Sequence, residues 1–130
     1  MKLTLYTDGG SRNNPGPSAT GVVIKDEKGQ VVAAYGEYLG KQTNNYAEYS
    51  AMISALKKAH ELGATEVACI ADSKLVIEQL KGNWKVKEPT LQKLWLQAWN
   101  LLQKFKKYSL AHTLRAGNKE ADAEVNKILD

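Results

Sequence analysis

Four acidic residues stand apart from the charged surface pattern of this sequence. Asp8, Glu48, Asp72 and Asp122 occur in the contexts LYTDGG, NYAEYS, CIADSK and KEADAE, where most neighbours are small or apolar. Carboxylates brought together repel each other unless a cation lies between them, and the hard, oxygen-preferring Mg²⁺ suits that place. Two such ions can clamp a phosphate for in-line attack. Taken singly, however, Asp8 before two glycines is typical of a turn and Asp72 of a helix N-cap.

The elements that carry these acids follow from the hydrophobic pattern. Alternation and turn formers predict a strand over Lys2–Asp8, ended by GGSRNNPGP, and then two strands joined by a turn at Lys28-Gly29, over Ser18–Asp26 and Val31–Leu39. Three consecutive antiparallel strands are the simplest arrangement. Changes in the spacing of apolar residues predict a helix that ends before Gly63 and a strand over Glu66–Ala71. Two helices follow, from Asp72 or Ser73 to Gly82 and from Pro89 to Phe105. The last predicted elements are a strand over Tyr108–Leu114 and a helix over Asn118–Leu129. The order βββαβααβα predicts an α/β domain with a mixed sheet.

Length and composition set broader limits. A chain of 130 residues fits one domain that can bury a core without disulfides. The 18 Lys and Arg against 14 Asp and Glu give a net charge of +4, which is compatible with a polyanionic partner without identifying one. The only cysteine, Cys69, is predicted to be buried, and a single cysteine allows no internal disulfide. The first strand begins so early that it leaves no room for a cleavable leader peptide. We therefore expect a cytoplasmic protein. No apolar run approaches the roughly 20 residues that span a bilayer, and no membrane partner is expected.

Four blocks of sequence carry a more specific indication. In TDGGSRNNPGP, TNNYAEYSAMISAL, ADSKLVIEQLKG and HTLRAGNKEADAEVN the chain resembles the type 1 ribonuclease H family, over essentially all its length. The resemblance implies a ribonuclease H-like α/β fold, with a five-stranded mixed sheet, three antiparallel strands first and helices on both faces, in a single catalytic domain over residues 1–130. It also implies an endonuclease that hydrolyses the RNA strand of RNA–DNA hybrids and leaves 5′-phosphate and 3′-hydroxyl ends. Separately from the resemblance, we expect a monomer.

The resemblance assigns roles to individual residues. Two Mg²⁺ ions, with Mn²⁺ as a substitute, would be held by the matching carboxylates, with Asp8 shared between them: Asp8, Glu48, Asp72 and Asp122. His112 matches a mobile histidine linked with product release. The predicted substrate contacts are Asn14, Asn44 and Asn45 on RNA 2′-hydroxyls, Lys41 and Thr43 on a DNA-strand phosphate, and also Lys74, Trp84 and Asn118. Without the resemblance, Asn14 would be a turn residue, Thr43 a helix cap and His112 a packed or solvated side chain.

Two other functions are weighed against this prediction. A module that grips a hybrid without cutting it would be expected to lack one of the four acids. A DNA-strand-transfer or junction-cutting relative would have no use for the Asn14 and Thr43-Asn44-Asn45 segments that suit 2′-hydroxyl reading. One departure from the family is predicted: some bacterial members have a basic helical protrusion after the Asp72 helix, but here Gly82 to Thr90 leads directly into the next helix.

Overall fold

The computed structural model describes all residues, 1–130, in the element order that the sequence predicts. The strands are β1 (Lys2–Ser11), β2 (Gly16–Lys25), β3 (Val31–Gln42), β4 (Glu66–Ala71) and β5 (Lys107–His112). The helices are α1 (Asn44–Glu61), α2 (Lys74–Leu80), α3 (Pro89–Leu102) and α4 (Lys119–Leu129), with one 3₁₀ turn over Arg115–Asn118. No helix combines the length and the apolarity that crossing a membrane requires.

The strands form one mixed sheet in the order β3-β2-β1-β4-β5. The pairs β1–β2 and β2–β3 are antiparallel, whereas β4 runs parallel to β1 and β5 runs parallel to β4. The predicted five-stranded sheet with three antiparallel strands first is therefore confirmed. Its parallel centre brings the carboxyl ends of β1, β4 and β5 to one edge, where ligand crevices form in open α/β sheets.

Helices cover both faces of this sheet. The core on one face joins Leu3 and Leu5 of β1 to Tyr49, Met52 and Leu56 of α1, all of which are buried. On the opposite face α4 lies so close that a Cβ at Gly21 would overlap the backbone carbonyl of Ala121. Cys69 is buried in β4, as predicted.

The first strand is longer than predicted. Residues Gly9, Gly10 and Ser11 continue β1 and pair with Thr20, Ala19 and Ser18 of β2, although the glycine-rich segment was expected to end the strand at Asp8. Pairing with β2 extends the strand, and the contact with α1 explains the glycine, because a Cβ at Gly9 would overlap the backbone of Ala47. Glycine at this point serves the close approach of a helix, and not a turn.

A buried glutamine connects three helices, α1, α2 and α3, through hydrogen bonds. Gln79 in α2 is 5% exposed. Its Oε1 accepts a hydrogen bond from the Tyr49 hydroxyl at 2.6 Å, and its Nε2 donates to the carbonyl of Lys85 at 3.1 Å. The indole N–H of Trp95, on α3, donates to the Gln79 carbonyl at 3.0 Å. These bonds fix the α2–α3 connection, which contains no helix and so has no protrusion.

Candidate active site

Three of the predicted carboxylates meet where β4 ends and its pairing with β1 stops. Thr7 pairs with Ala71 in the parallel register, so the next residues, Asp8 and Asp72, lie side by side. Glu48 reaches them from α1. One carboxylate oxygen from each of Asp8, Glu48 and Asp72 lies within 4.8 Å of the other two. Asp8 is buried, at 7% exposure, and the other two are partly buried.

Glu48 is brought there by the close approach of α1 to Gly9. The helix begins after Thr43, whose side-chain oxygen accepts the Tyr46 N–H at 3.1 Å and acts as the N-cap. One turn later, Glu48 Oε1 accepts the Gly9 N–H at 2.6 Å. The glycine backbone therefore holds one glutamate oxygen and leaves the other free for the pocket.

Asp122 lines the same pocket from α4. The pocket measures about 300 Å³, and all four acids line it together with Arg12, Arg115 and Asn126; we call it the acidic pocket. Asp122 lies outside the group of three closest carboxylates. Its Oδ1 accepts from Arg115 at 3.2 Å and its Oδ2 accepts from Asn126 at 3.3 Å.

The electrostatics of the acidic pocket favour a bound cation. Burial, followed by the charges of Asp72 and Asp122, raises the pKa of Asp8 to about 8. Burial and then the charges of Asp8 and Asp72 raise the pKa of Glu48 well above its usual value, and the Gly9 N–H opposes that shift only in part. Asp72 Oδ1 is buried without a hydrogen-bond partner. A set of crowded carboxylate oxygens, one of them unpartnered, fits a hard divalent ion such as Mg²⁺.

A larger cavity, of about 820 Å³, lies between β3 and α1. Tyr35, Ser54 and Lys57 are among its lining residues, and it contains none of the predicted site residues. The converging acids are therefore in the smaller of these two pockets.

His112 lies at the same edge of the sheet as the carboxylates. It ends β5 opposite Ala71, the residue before Asp72, and it is exposed. It is not among the residues that line the acidic pocket. Its predicted role in product release remains a prediction.

The predicted RNA contacts form a polar rim beside the acidic pocket. Asn14 Oδ1 accepts the Asn44 N–H at 2.9 Å, and Asn44 Oδ1 accepts the Ser11 N–H at 2.8 Å. Asn14, Thr43 and Asn45 line a groove of about 560 Å³, whereas Asn44 lines the acidic pocket itself. The three asparagines are exposed, so their amide groups are accessible.

The predicted DNA-strand residues are also at the surface. Lys41 is exposed near the end of β3, two residues before Thr43. The ammonium of Lys74 lies over the Trp84 ring, 6.0 Å from its centroid, and Trp84 is 44% exposed. This distance is at the outer limit of a cation–π contact.

Asn118 does not fit its predicted role as a substrate contact. It is 1% exposed, and its Nδ2 donates to the carbonyl of Thr7 at 2.7 Å. The side chain therefore ties the start of α4 to β1 next to Asp8. Sequence position alone could not show this, because the residue is buried only by the docking of α4 on the sheet.

Arg12, Arg115 and Asn126 also line the acidic pocket, and the sequence reasoning did not single them out. Asn126 had a usable signal, since it follows Asp122 by four residues and shares its helix face. Arg12 had no such sequence signal, because only the tertiary fold brings it into contact with Asn126.

A family described as reverse transcriptase-like matches residues 6–128. The chain is 44% identical over 131 residues to a bifunctional protein of Mycobacterium tuberculosis, covering 100% of this chain and 36% of that protein. It is 43% identical to ribonuclease HI of Halobacterium salinarum (99% and 65% covered) and 34% identical to a ribonuclease H of Cyanothece (92% and 83%). The chain thus spans about a third of the length of the mycobacterial relative.

Solved structures of ribonuclease H1 proteins share the fold of this chain. Ribonuclease H1 of Halobacterium salinarum superposes with a TM-score of 0.97 at 42% identity, covering 100% of this chain and 98% of that one. LC11-RNase H1 in complex with an RNA/DNA hybrid superposes with a TM-score of 0.93 at 39% identity, covering 98% and 96%.

Proposed function

Because the chain belongs to the type 1 ribonuclease H family, we propose that it is an endonuclease that hydrolyses the RNA strand of RNA–DNA hybrids and leaves 5′-phosphate and 3′-hydroxyl ends. The observation that carries the proposal is the convergence of Asp8, Glu48 and Asp72 within 4.8 Å, beside a rim of exposed amides. The solved hybrid complex of a protein with 39% identity supports the same substrate class.

Four carboxylates of this chain would hold two Mg²⁺ ions, for which Mn²⁺ could substitute. Bound there, the ions would activate a water molecule and stabilise the charge that develops on the attacked phosphate. Asp8 is suited to be the shared ligand, because both Asp72 and Asp122 add to the effect of burial in raising its pKa. In this proposal Glu48 and Asp72 would hold one ion, and Asp122 would help hold the other.

The asparagine rim would distinguish RNA from DNA. Asn14 and Asn44 each use Oδ1 to accept a backbone N–H, which turns the amide nitrogen outward as a donor. A 2′-hydroxyl oxygen can accept that hydrogen bond, and DNA has no group at this place. Asn45, in the neighbouring groove, would make a similar contact.

The positively charged and aromatic residues would hold the other strand. Lys41 and Thr43 lie close together in sequence at the end of β3, where they would grip a DNA phosphate. Lys74 and Trp84 offer an ammonium and an exposed ring surface side by side. His112, exposed beside the end of β4, would assist release of the cleaved phosphate.

The organisation of the active protein belongs to the same proposal. We propose that residues 1–130 act as a single catalytic domain, as a monomer and in the cytoplasm. Sedimentation and fractionation would test the last two points.

Strand-resolved cleavage tests the proposed function directly. Labelled RNA–DNA, RNA–RNA and DNA–DNA duplexes are incubated with and without Mg²⁺, and we expect cuts only in the RNA of the hybrid and only with the ion. The Asp72→Asn variant, which removes a charge while keeping the side-chain shape, should bind the hybrid but leave it uncut. Cleavage of RNA–RNA or DNA–DNA duplexes at a similar rate, or none with hybrid and Mg²⁺, would refute the proposal.

A further inference from the structure

Asp122 differs from the other three acids in what holds it. Asp8 is held by burial and Glu48 by the Gly9 N–H, whereas one oxygen of Asp72 is buried without a partner. Asp122 lies in the first turn of α4, with a side chain that is 23% exposed, and it accepts hydrogen bonds from the side chains of Arg115 and Asn126. Its orientation therefore depends on those two neighbours.

The two neighbours differ in how firmly they act. The Arg115 side chain is 78% exposed, so water and salt weaken its ion pair with Asp122. A cation entering the pocket would also compete with it for the same carboxylate. Asn126 is neutral and partly buried, and it donates a hydrogen bond from the same face of the same helix, four residues along. It can therefore orient Asp122 without neutralising the charge that an ion needs.

The direction of the Asn126 amide is set by Arg12. A guanidinium has only donors, so the amide oxygen must face it, and Asn126 Oδ1 accepts from Arg12 at 3.2 Å. The amide nitrogen is then left to face Asp122 Oδ2 at 3.3 Å. Arg12 in turn pairs with Asp130 at 2.7 Å, in a contact that is also exposed to water. Because Arg12 follows the strand that carries Asp8, this chain of bonds links the two sides of the acidic pocket.

We infer that Arg12 and Asn126 are positioning residues for Asp122: Arg12 orients the Asn126 amide, and Asn126 holds the Asp122 carboxylate in the geometry that receives a divalent ion. This inference rests on the proposed metal-dependent function. In this inference both residues act on ion binding, whereas hybrid recognition is left to Asn14, Asn44 and Asn45.

Calorimetric titration of the substrate-free protein with Mn²⁺ measures the effect without any catalysis. Asn126→Leu removes the donor, keeps the size and leaves the net charge unchanged. We expect its ion affinity to fall by about 10-fold, the lower end of what such supporting contacts contribute. The matched control is Asn83→Leu, which breaks an Asn–carboxylate bond of 2.8 Å to Glu78 away from the pocket and should leave the affinity unchanged.

Charge reversal at position 12 distinguishes the orientation of the Asn126 amide from the direct effect of charge on cation binding. Arg12→Glu adds negative charge near the pocket, which by itself would tighten cation binding. A glutamate, however, only accepts hydrogen bonds, so it would turn the Asn126 nitrogen away from Asp122, and we expect weaker ion binding. Arg12→Lys keeps a donor and should retain most of the affinity.

The outcomes are distinct. Ion affinity of Asn126→Leu within about twofold of the parent, or tighter binding by Arg12→Glu, would overturn the inference while the parent still cleaves hybrid. A parent protein that binds no divalent ion and cuts no hybrid would instead refute the proposed function, and with it the inference. Melting curves in chelator establish that each variant is folded.

Discussion

Replacing Asp8 with asparagine should stabilise the metal-free protein even though it destroys the proposed active site. The pKa of Asp8 rises from 3.8 to about 8 in the folded chain, chiefly through burial and secondly through Asp72. The native state therefore binds this proton more tightly than the unfolded state does. As pH increases from about 4 to about 8, the ionised carboxylate progressively costs the fold stability. The asparagine side chain of the variant has no charge to ionise and escapes that cost.

The size of the effect follows from the change in pKa. A difference of about four in pKa corresponds to at most roughly 5 to 6 kcal/mol. Because the acidic pocket is open to water, which hydrates the charge in part, we expect about 2 to 4 kcal/mol at pH 8.5. For a domain of this size that is roughly 7 to 14 °C in melting temperature.

The assay is thermal unfolding in EDTA at pH 4.5 and at pH 8.5. Asp8→Asn should melt higher than the parent at pH 8.5 and at nearly the same temperature at pH 4.5. Glu61→Gln, which removes an exposed carboxylate from the end of α1, serves as the control and should change little at either pH. With Mg²⁺ added at pH 8.5, the parent should gain more stability than Asp8→Asn. An Asp8→Asn protein no more stable than the parent at pH 8.5 without metal would refute the reasoning.

Three further perturbations address other parts of the molecule. His112→Ala should slow turnover by roughly 10- to 100-fold and leave a measurable rate; a loss as complete as that of Asp72→Asn would make it essential. Lys41→Glu should lower the slope of log affinity against log salt by about one contact, measured with uncut hybrid; an unchanged slope would remove Lys41 from the DNA-strand contacts. Gln79→Leu should destabilise the fold by about 1 to 3 kcal/mol in denaturant titrations, since the Tyr49 hydroxyl loses its buried partner; a neutral effect would contradict the network.

The order of the elements was predictable because each element has its own local signal. The apolar run of β4, the helical spacing before Gly63 and the proline that begins α3 all act within a few residues. The left-handed backbone at Gly63, with φ of 87°, is where the predicted helix end required glycine. Such signals survive without knowledge of the tertiary fold.

The parts that were missed depend on contacts between distant segments. Gly9 and Gly10 look like turn residues until α1 and β2 are placed against them. Asn118 looks like an accessible amide until α4 docks and buries it. The approach of Asp8 to Asp72 likewise depends on a parallel pairing across 64 residues of chain, and the residues alone left it open. Only the family resemblance supplied that step.

One consequence follows from where α1 begins. The helix starts at Asn44, and Glu48 is four residues later on the same face. Four residues of α-helix advance about 6 Å. If Asn44 touches a 2′-hydroxyl and Glu48 holds an ion, one rigid helical turn fixes the distance between the ribose that is recognised and the phosphodiester that is cut. Inserting one residue between them would rotate the two side chains apart by about 100°. Asn44 and Glu48 could then no longer make their two contacts at the same time.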